Sequence, residues 1–259
     1  MSAGLGRLGG GALLTVYDER FFEELREGAR RSARVIVPLV VERLRPRSVV
    51  DVGCGLGTWL SVFIENGVAD VTGVDGDYVD SSRLEIPGER FVAHDLSTPL
   101  SLDRRFDLAV SLEVAEHLPA DRAAVFIGSL TGLAPFVLFS AAIPFQGGTN
   151  HVNEQWPAYW AALFGERGFA PVDCVRREVW SDENVEWWYA QNTLLFVEEG
   201  RLASPPDGGR PFERTPFSQL ALVHPRQYLW QVESARERDQ SPAGAEPGET
   251  SQTDPSRSA

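Results

Sequence analysis

The sequence predicts an α/β domain, a doubly wound, mostly parallel sheet of seven strands with helices on both faces, and three observations predict it. Short, nearly continuous apolar runs recur from Ser48 onward, the composition of strands buried on both sides. Amphipathic stretches of helical length separate several of these runs. One strand-to-helix junction carries three alternate glycines, the punctuation of a tight turn on which a ligand packs.

Taken in order, strands are expected at residues 48–52, 71–75, 90–94, 106–112, 136–142, 170–179 and 191–198, and helices near 58–66, 120–133 and 157–167. Pro119 and Pro157 stand where a first helical turn accepts proline, and Gly168 stands where a C-terminal cap is wanted. Upstream, residues 18–44 carry helical periodicity, with Phe21, Phe22 and Leu25 on one face and Val35, Leu39 and Val40 on another. Pro38 is expected to kink or divide that segment. The organisation read from this is a flexible N-terminus at 1–14, a catalytic domain with an N-terminal helical cap at 15–200, an appendage at 201–232 and a disordered tail at 233–259. The appendage opens on a linker at 201–207 and holds enough apolar residues to dock, Leu220 and Trp230 among them; its role is not legible.

The bulk numbers remove several functions. A chain of 259 residues builds one sizeable core. A net charge of -13 repels a polyanion, so no nucleic-acid partner is expected. All 24 basic residues are Arg, which excludes Schiff-base chemistry and phosphate binding through a P-loop lysine. Cys54 and Cys174 are too few for a disulfide framework or a four-thiolate zinc site. With no apolar run long enough for a membrane span, a cytoplasmic location and no membrane partner are expected.

The most specific signal is Asp51-Val52-Gly53-Cys54-Gly55-Leu56-Gly57, a strand end running into a glycine turn and then a helix. A nicotinamide dinucleotide fingerprint wants glycine at 53, 55 and 58, but position 58 is Thr. The turn closely resembles the D-x-G-x-G-x-G motif of class I S-adenosylmethionine-dependent methyltransferases, whose fold is Rossmann-like, and the resemblance spans about residues 48–198. It implies S-adenosyl-L-methionine as cofactor, held by Asp51, Gly53, Cys54, Gly55 and Gly57. Asp75, ending the second strand, would accept the ribose hydroxyls; Asp95, ending the third, would accept the adenine amino group, with Leu96 beside it. Leu112 ends the segment that passes beneath the methionine part. In some relatives, segments like Tyr17-Asp18-Glu19 and Arg31-Ser32-Ala33 fold over the cofactor, which would bring Ser32 to its carboxylate.

Methyl transfer is an in-line displacement, so the protein has to align a nucleophile and take its proton. The run Glu113-Val114-Ala115-Glu116-His117 follows the fourth strand, and His151 follows the fifth. His117, His151 and Glu113 are the catalytic candidates. Two readings stay open. Glu113, Glu116, His117 and His151 hold a divalent metal, Mg²⁺ or another oxygen-preferring ion, as the spacing resembles that of metal-dependent O-methyltransferases; or His117 is a metal-free general base. The expected activity is methylation, at oxygen, of a small molecule or a sugar or glycan precursor. An N-methyltransferase and a non-catalytic nucleotide-binding module are the alternatives. Trp156, Trp160 and Trp187-Trp188-Tyr189 are assigned to the core, and His94 and His224 to structural roles.

Overall fold

A computed structural model describes residues 11–204 and 208–240; the expectations for residues 1–10 and 241–259 lie outside the described residues. So do the side chains of Tyr17, Asp18, Glu19, Phe21, Phe22 and Leu25. In chain order the elements are α1 (Gly11–Leu44), β1 (Ser48–Val52), α2 (Thr58–Glu65), β2 (Asp70–Asp75), β3 (Phe91–Ala93) and β4 (Leu108–Leu112). They continue with α3 (Ala123–Leu133), β5 (Phe136–Ser140), α4 (Pro157–Gly165) and β6 (Phe169–Val172). The short helices α5 (Arg176–Val179) and α6 (Trp187–Asn192), then β7 (Leu194–Glu198) and α7 (Pro225–Gln240), complete the set.

The seven strands form one sheet in the order β3-β2-β1-β4-β5-β7-β6. All pairings are parallel except those of β7, which runs antiparallel to both β5 and β6. Every residue of β1, β4 and β5 is buried, which is why those runs read as continuously apolar. One face is covered by α1 packed on α2, where Ile36, Val37, Leu60 and Phe63 meet Val49 and Leu108. The other is covered by α3 and α4, where Phe126, Phe164 and Trp160 meet Phe139 and Phe196. Phe164 stacks on Phe196 with ring centroids 3.8 Å apart. No helix among the described residues is long and apolar enough to cross a membrane.

Three expectations are corrected. The run 170–179 is not one strand: β6 ends at Val172, opposite Leu195, and the chain turns away as the Asp173 N–H bonds the Thr215 hydroxyl at 2.9 Å. Arg176 then folds back to pair with Asp173 at 2.7 Å, which opens α5. The run 191–198 likewise begins as helix, with Gln191 and Asn192 closing α6 before β7 starts. Pro38 does not divide α1; it lies on the exposed face, where the carbonyl it frees can face solvent. Regular structure also reaches into both predicted ends, since α1 begins at Gly11 and α7 continues to Gln240.

Candidate active site

The strand order reverses between β1 and β4, and the loops leaving their C-terminal ends diverge there into a crevice. A cavity of about 820 Å³ occupies it. Its walls come from every strand of the parallel half: Gly53 and Gly55 after β1, Asp75 to Tyr78 at the end of β2, Ala93 to Leu96 at the end of β3, Glu113, Val114, His117 and Leu118 after β4, and Asn150 after β5.

The glycine turn is built as its sequence demands. Gly53, Gly55 and Gly57 all have left-handed backbones, with φ of 89°, 52° and 84°. The reasons differ. At Gly53 a Cβ would stand 2.4 Å from Val114 Cγ2, so the protein itself forbids a side chain. At Gly55 no protein atom lies within 4 Å of that position, and the residue faces the cavity. The Asp75 carboxylate ties the turn to β2, accepting hydrogen bonds from the Gly55 N–H at 2.7 Å and the Gly76 N–H at 2.7 Å. The Tyr78 hydroxyl donates to the same carboxylate.

The remaining cofactor candidates divide. Asp95 and Leu96 line the cavity, Asp95 with one oxygen engaged by the Ser97 N–H and hydroxyl. Gly57 caps α2 against Ile86, Cys54 is buried beside Gly73, and Leu112 belongs to the core; none of these three lines the cavity. Burial and the neighbouring Asp51 and Asp75 carboxylates push the Cys54 thiol far up, leaving it unreactive. Asp51 is buried beneath the turn, where desolvation and then repulsion from Asp75 push its pKa up to about 8. Ser32 is committed elsewhere: it donates to the Gly28 carbonyl at 2.8 Å and accepts from the Glu186 N–H at 2.9 Å, fastening α1 to the loop before α6.

Asp51 carries a pH prediction. In the unfolded chain a carboxyl of this type titrates near pH 4, whereas in the folded protein it holds its proton to about 8. The folded state therefore binds the extra proton across that window, and stability falls as pH rises through it, by roughly 1.4 kcal/mol per pH unit for one proton. Asp51→Asn is expected to lose that component, so that its Tm declines less steeply between pH 5 and pH 8. Parallel Tm curves for the two proteins would place the Asp51 proton elsewhere.

On the acceptor side the four predicted ligands separate into three and one. Glu116, His117 and His151 each offer a ligand atom, and these atoms all lie within 4.8 Å of one another. Glu116 Oε1 accepts from the Ala142 N–H at 3.2 Å, while Oε2 is buried with no hydrogen-bond partner among the described residues. Burial and the Glu113 carboxylate push Glu116 well up. His117 and His151 stand edge to face with ring centroids 4.9 Å apart. The Nδ1 of His117 faces the Asn150 carbonyl at 3.3 Å, and that of His151 faces Glu154 at 3.0 Å, which leaves both Nε2 atoms for other partners. Burial and the nearby His151 ring hold His117 below the usual imidazole value.

Glu113 is turned away from this trio. Its backbone is left-handed, with φ of 55°, and its N–H bonds the Ser140 hydroxyl at 3.0 Å. The carboxylate accepts from Gln146 at 2.8 Å and from Asn192 at 3.1 Å, in a wall of the cavity. Burial raises its pKa against the opposing effect of these donors. Sequence reasoning missed Tyr78, Gln146, Asn192 and the cavity position of His94; of these only Tyr78, in the turn after Asp75, carried a local signal. His224 is structural as expected, with Nε2 3.0 Å from the Trp180 carbonyl. Trp160 is core, whereas Trp156 is exposed.

Comparison with known proteins places these features in company. Residues 19–135 match the family model described as a methyltransferase domain. A trans-aconitate 2-methyltransferase of Rhizobium etli is 30% identical over 154 residues, covering 57% of this chain and 58% of that protein. Its counterpart in Rhizobium leguminosarum bv. trifolii is 28% identical over 181 residues, covering 65% and 68%. That of Rhizobium rhizogenes is 36% identical over 101 residues, and there the chain spans 38% of the relative's length. Among solved structures, a sugar N-methyltransferase from Streptoalloteichus shares the fold with a TM-score of 0.53 at 17% identity, covering 76% of this chain and 98% of that one.

Proposed function

We propose, for a chain whose residues 19–135 form a class I S-adenosylmethionine-dependent methyltransferase domain, that the protein methylates a hydroxyl of a small, uncharged acceptor of the sugar or polyol type. The observation that carries this reading is that one cavity is lined by Gly55 and Asp75 and by His117 as well.

The residues fit the cofactor. Gly55 leaves main chain bare on the cavity, and the Asp75 carboxylate, beside it, is the type of acceptor that paired ribose hydroxyls need. Asp95 and Leu96 would hold the base. Bound there, S-adenosyl-L-methionine supplies an electrophilic methyl group on a sulfonium. The chain's part is to orient the acceptor and take its proton. His117, kept neutral by burial and by the nearby His151 ring, turns its Nδ1 to the Asn150 carbonyl and so presents Nε2 as the proton acceptor.

The trio Glu116, His117 and His151 supports a further step, a divalent cation that grips the acceptor hydroxyl and lowers its pKa. The buried, partnerless Glu116 Oε2 favours it, because a carboxylate oxygen left so is costly without a cation or proton. Two imidazoles and one carboxylate suit Mn²⁺ or Zn²⁺ better than Mg²⁺. His117 as sole base is the second reading, favoured by its lowered pKa.

The acceptor differs in charge from the one named in the Rhizobium relatives. trans-Aconitate is a tricarboxylate. Among the described residues lining this cavity there is no Arg, while Asp75, Asp77, Asp95 and Glu113 are present. A polyanion would find no guanidinium there to pair with.

Calorimetry with S-adenosylhomocysteine and with NAD tests the cofactor assignment. The adenosyl ligand is expected to bind and NAD is not. Asp75→Ala is expected to weaken binding by about 1.5–3 kcal/mol, the range for hydrogen bonds to charged groups. Binding of NAD, or an Asp75→Ala variant of unchanged affinity, would overturn it.

A further inference from the structure

We infer that residues 208–240 are a working part of the acceptor site: Gln227 and Trp230 of α7 hold the 143–154 loop that sets His151 beside His117. The inference rests on the methyltransferase reading and gives a role to the segment that the sequence leaves without one.

The loop between β5 and α4 needs holding. Phe145 and Asn150 are non-glycine residues with left-handed backbones, at φ of 67° and 60°, a conformation that persists only where its surroundings impose it. Two groups impose it. From within, Glu154 accepts from the N–H groups of Phe145 and Gly147, both at 2.8 Å, and faces His151 Nδ1 at 3.0 Å. From outside, Gln227 is buried and donates its Nε2 to the Phe145 carbonyl at 2.8 Å, and Gln231, one turn on, donates to the same oxygen. The loop is also clasped by rings. A Cβ on Gly147 would stand 3.1 Å from Trp230 Cη2, and one on Gly148 would stand 2.3 Å from His151 Nε2. The glycine pair thus runs beside an indole and an imidazole, and a side chain at Gly148 would displace the His151 ring.

A second line of bonds reaches the opposite wall. The His224 N–H donates to Gln191 Oε1 at 2.8 Å, Gln191 donates to Gln146 Oε1 at 3.2 Å, and Gln146 donates to Glu113 at 2.8 Å. The mounting itself is firm. Phe212 and Leu220 are buried in the two cores, and the Leu220 carbonyl accepts from the buried Arg176 at 2.8 Å. Gln227 and Trp230 of α7 therefore brace the loop, and His224, just before the helix, is linked through Gln191 and Gln146 to Glu113 in the cavity wall. Gln227 and Trp230 are positioning residues: they act through the loop and through His151.

The test compares the full chain with its Gln227→Leu and Trp230→Ala variants by amide hydrogen exchange, ring-nitrogen NMR of His151, and calorimetry with S-adenosylhomocysteine. In the variants, exchange at the amides of Gln146, Val152 and Asn153 is expected to rise at least about 10-fold. The His151 ring is expected to lose the fixed tautomer that Glu154 imposes. Exchange in β1 and β4, and affinity for the adenosyl ligand, should stay within about twofold. Unchanged exchange at those three amides in both variants would overturn the inference. A uniform rise across the whole sheet would do so too, since it would make the segment a general stabiliser. If the parent chain does not bind S-adenosylhomocysteine, the methyltransferase reading fails, and the loop measurements still decide the clamp.

Discussion

Replacing Gly55 by Val is expected to abolish binding of S-adenosylhomocysteine while leaving a cooperatively folded protein. No protein atom lies within 4 Å of the position a Cβ would take at Gly55, so the new side chain enters the space of the cavity without colliding with the structure. The backbone there has φ of 52°, and a β-branched residue in that region costs on the order of 1–3 kcal/mol, a loss a domain of this size sustains. Gly53 is the control. There a Cβ meets Val114 Cγ2 at 2.4 Å, so Gly53→Ala is expected to lower the Tm outright. Two glycines two residues apart thus separate by assay: thermal unfolding reads the first, calorimetry the second. A Gly55→Val protein that binds the adenosyl ligand normally would move the cofactor away from this turn.

The second large effect concerns the trio on the acceptor side. His117→Ala is expected to lower turnover by about 10²- to 10⁴-fold, the usual contribution of a positioned acid or base, with cofactor affinity kept. Excess chelator is expected to reduce turnover comparably, and added Mn²⁺ to restore it. Screening neutral sugars and polyols by release of S-adenosylhomocysteine supplies the acceptor. A direct Mn²⁺ titration of the parent and of His151→Ala gives a reading that needs no acceptor: the parent binds and the variant does not. Full turnover in chelator, with Glu116→Ala and His151→Ala unimpaired, would leave His117 as a lone base.

The parallel half of the fold was legible because its physics is local. Strands buried on both faces are mostly apolar, and β1, β4 and β5 are buried at every residue with only Ser48, Asp51, Ser111 and Ser140 polar. The antiparallel half was read less well. The apolar content of 170–179 resembles a strand, and what breaks it is distant in sequence: Thr215 on the Asp173 amide and Leu220 on Arg176. In the site, Asp75 and the glycine turn follow from a motif whose residues are close neighbours in the chain. The placement of Glu113 did not. Its spacing to Glu116 and His117 suggests one ligand set, but the left-handed backbone at Glu113 swings its carboxylate to Gln146 and Asn192, the latter reached only after the chain has crossed the sheet. Nor did the contacts of α7 with the 143–154 loop, which are made at the Phe145 carbonyl and at Gly147, far from α7 in the chain.

The strand order also dictates when the molecule becomes competent. β7 lies between β5 and β6, so β6 has no neighbour in the sheet until β7 has been made and inserted. The parallel half, by contrast, is complete by the end of β5 at Ser140, with contacts that are mostly between successive elements. On a ribosome, the glycine turn at residues 53–57 can therefore take shape before α7 has been made, while the proposed brace on His151 waits for that helix. Synthesis order thus separates the two halves of the catalytic crevice in time. In a nascent chain the glycine turn comes first, and the brace on the 143–154 loop comes last among the described elements.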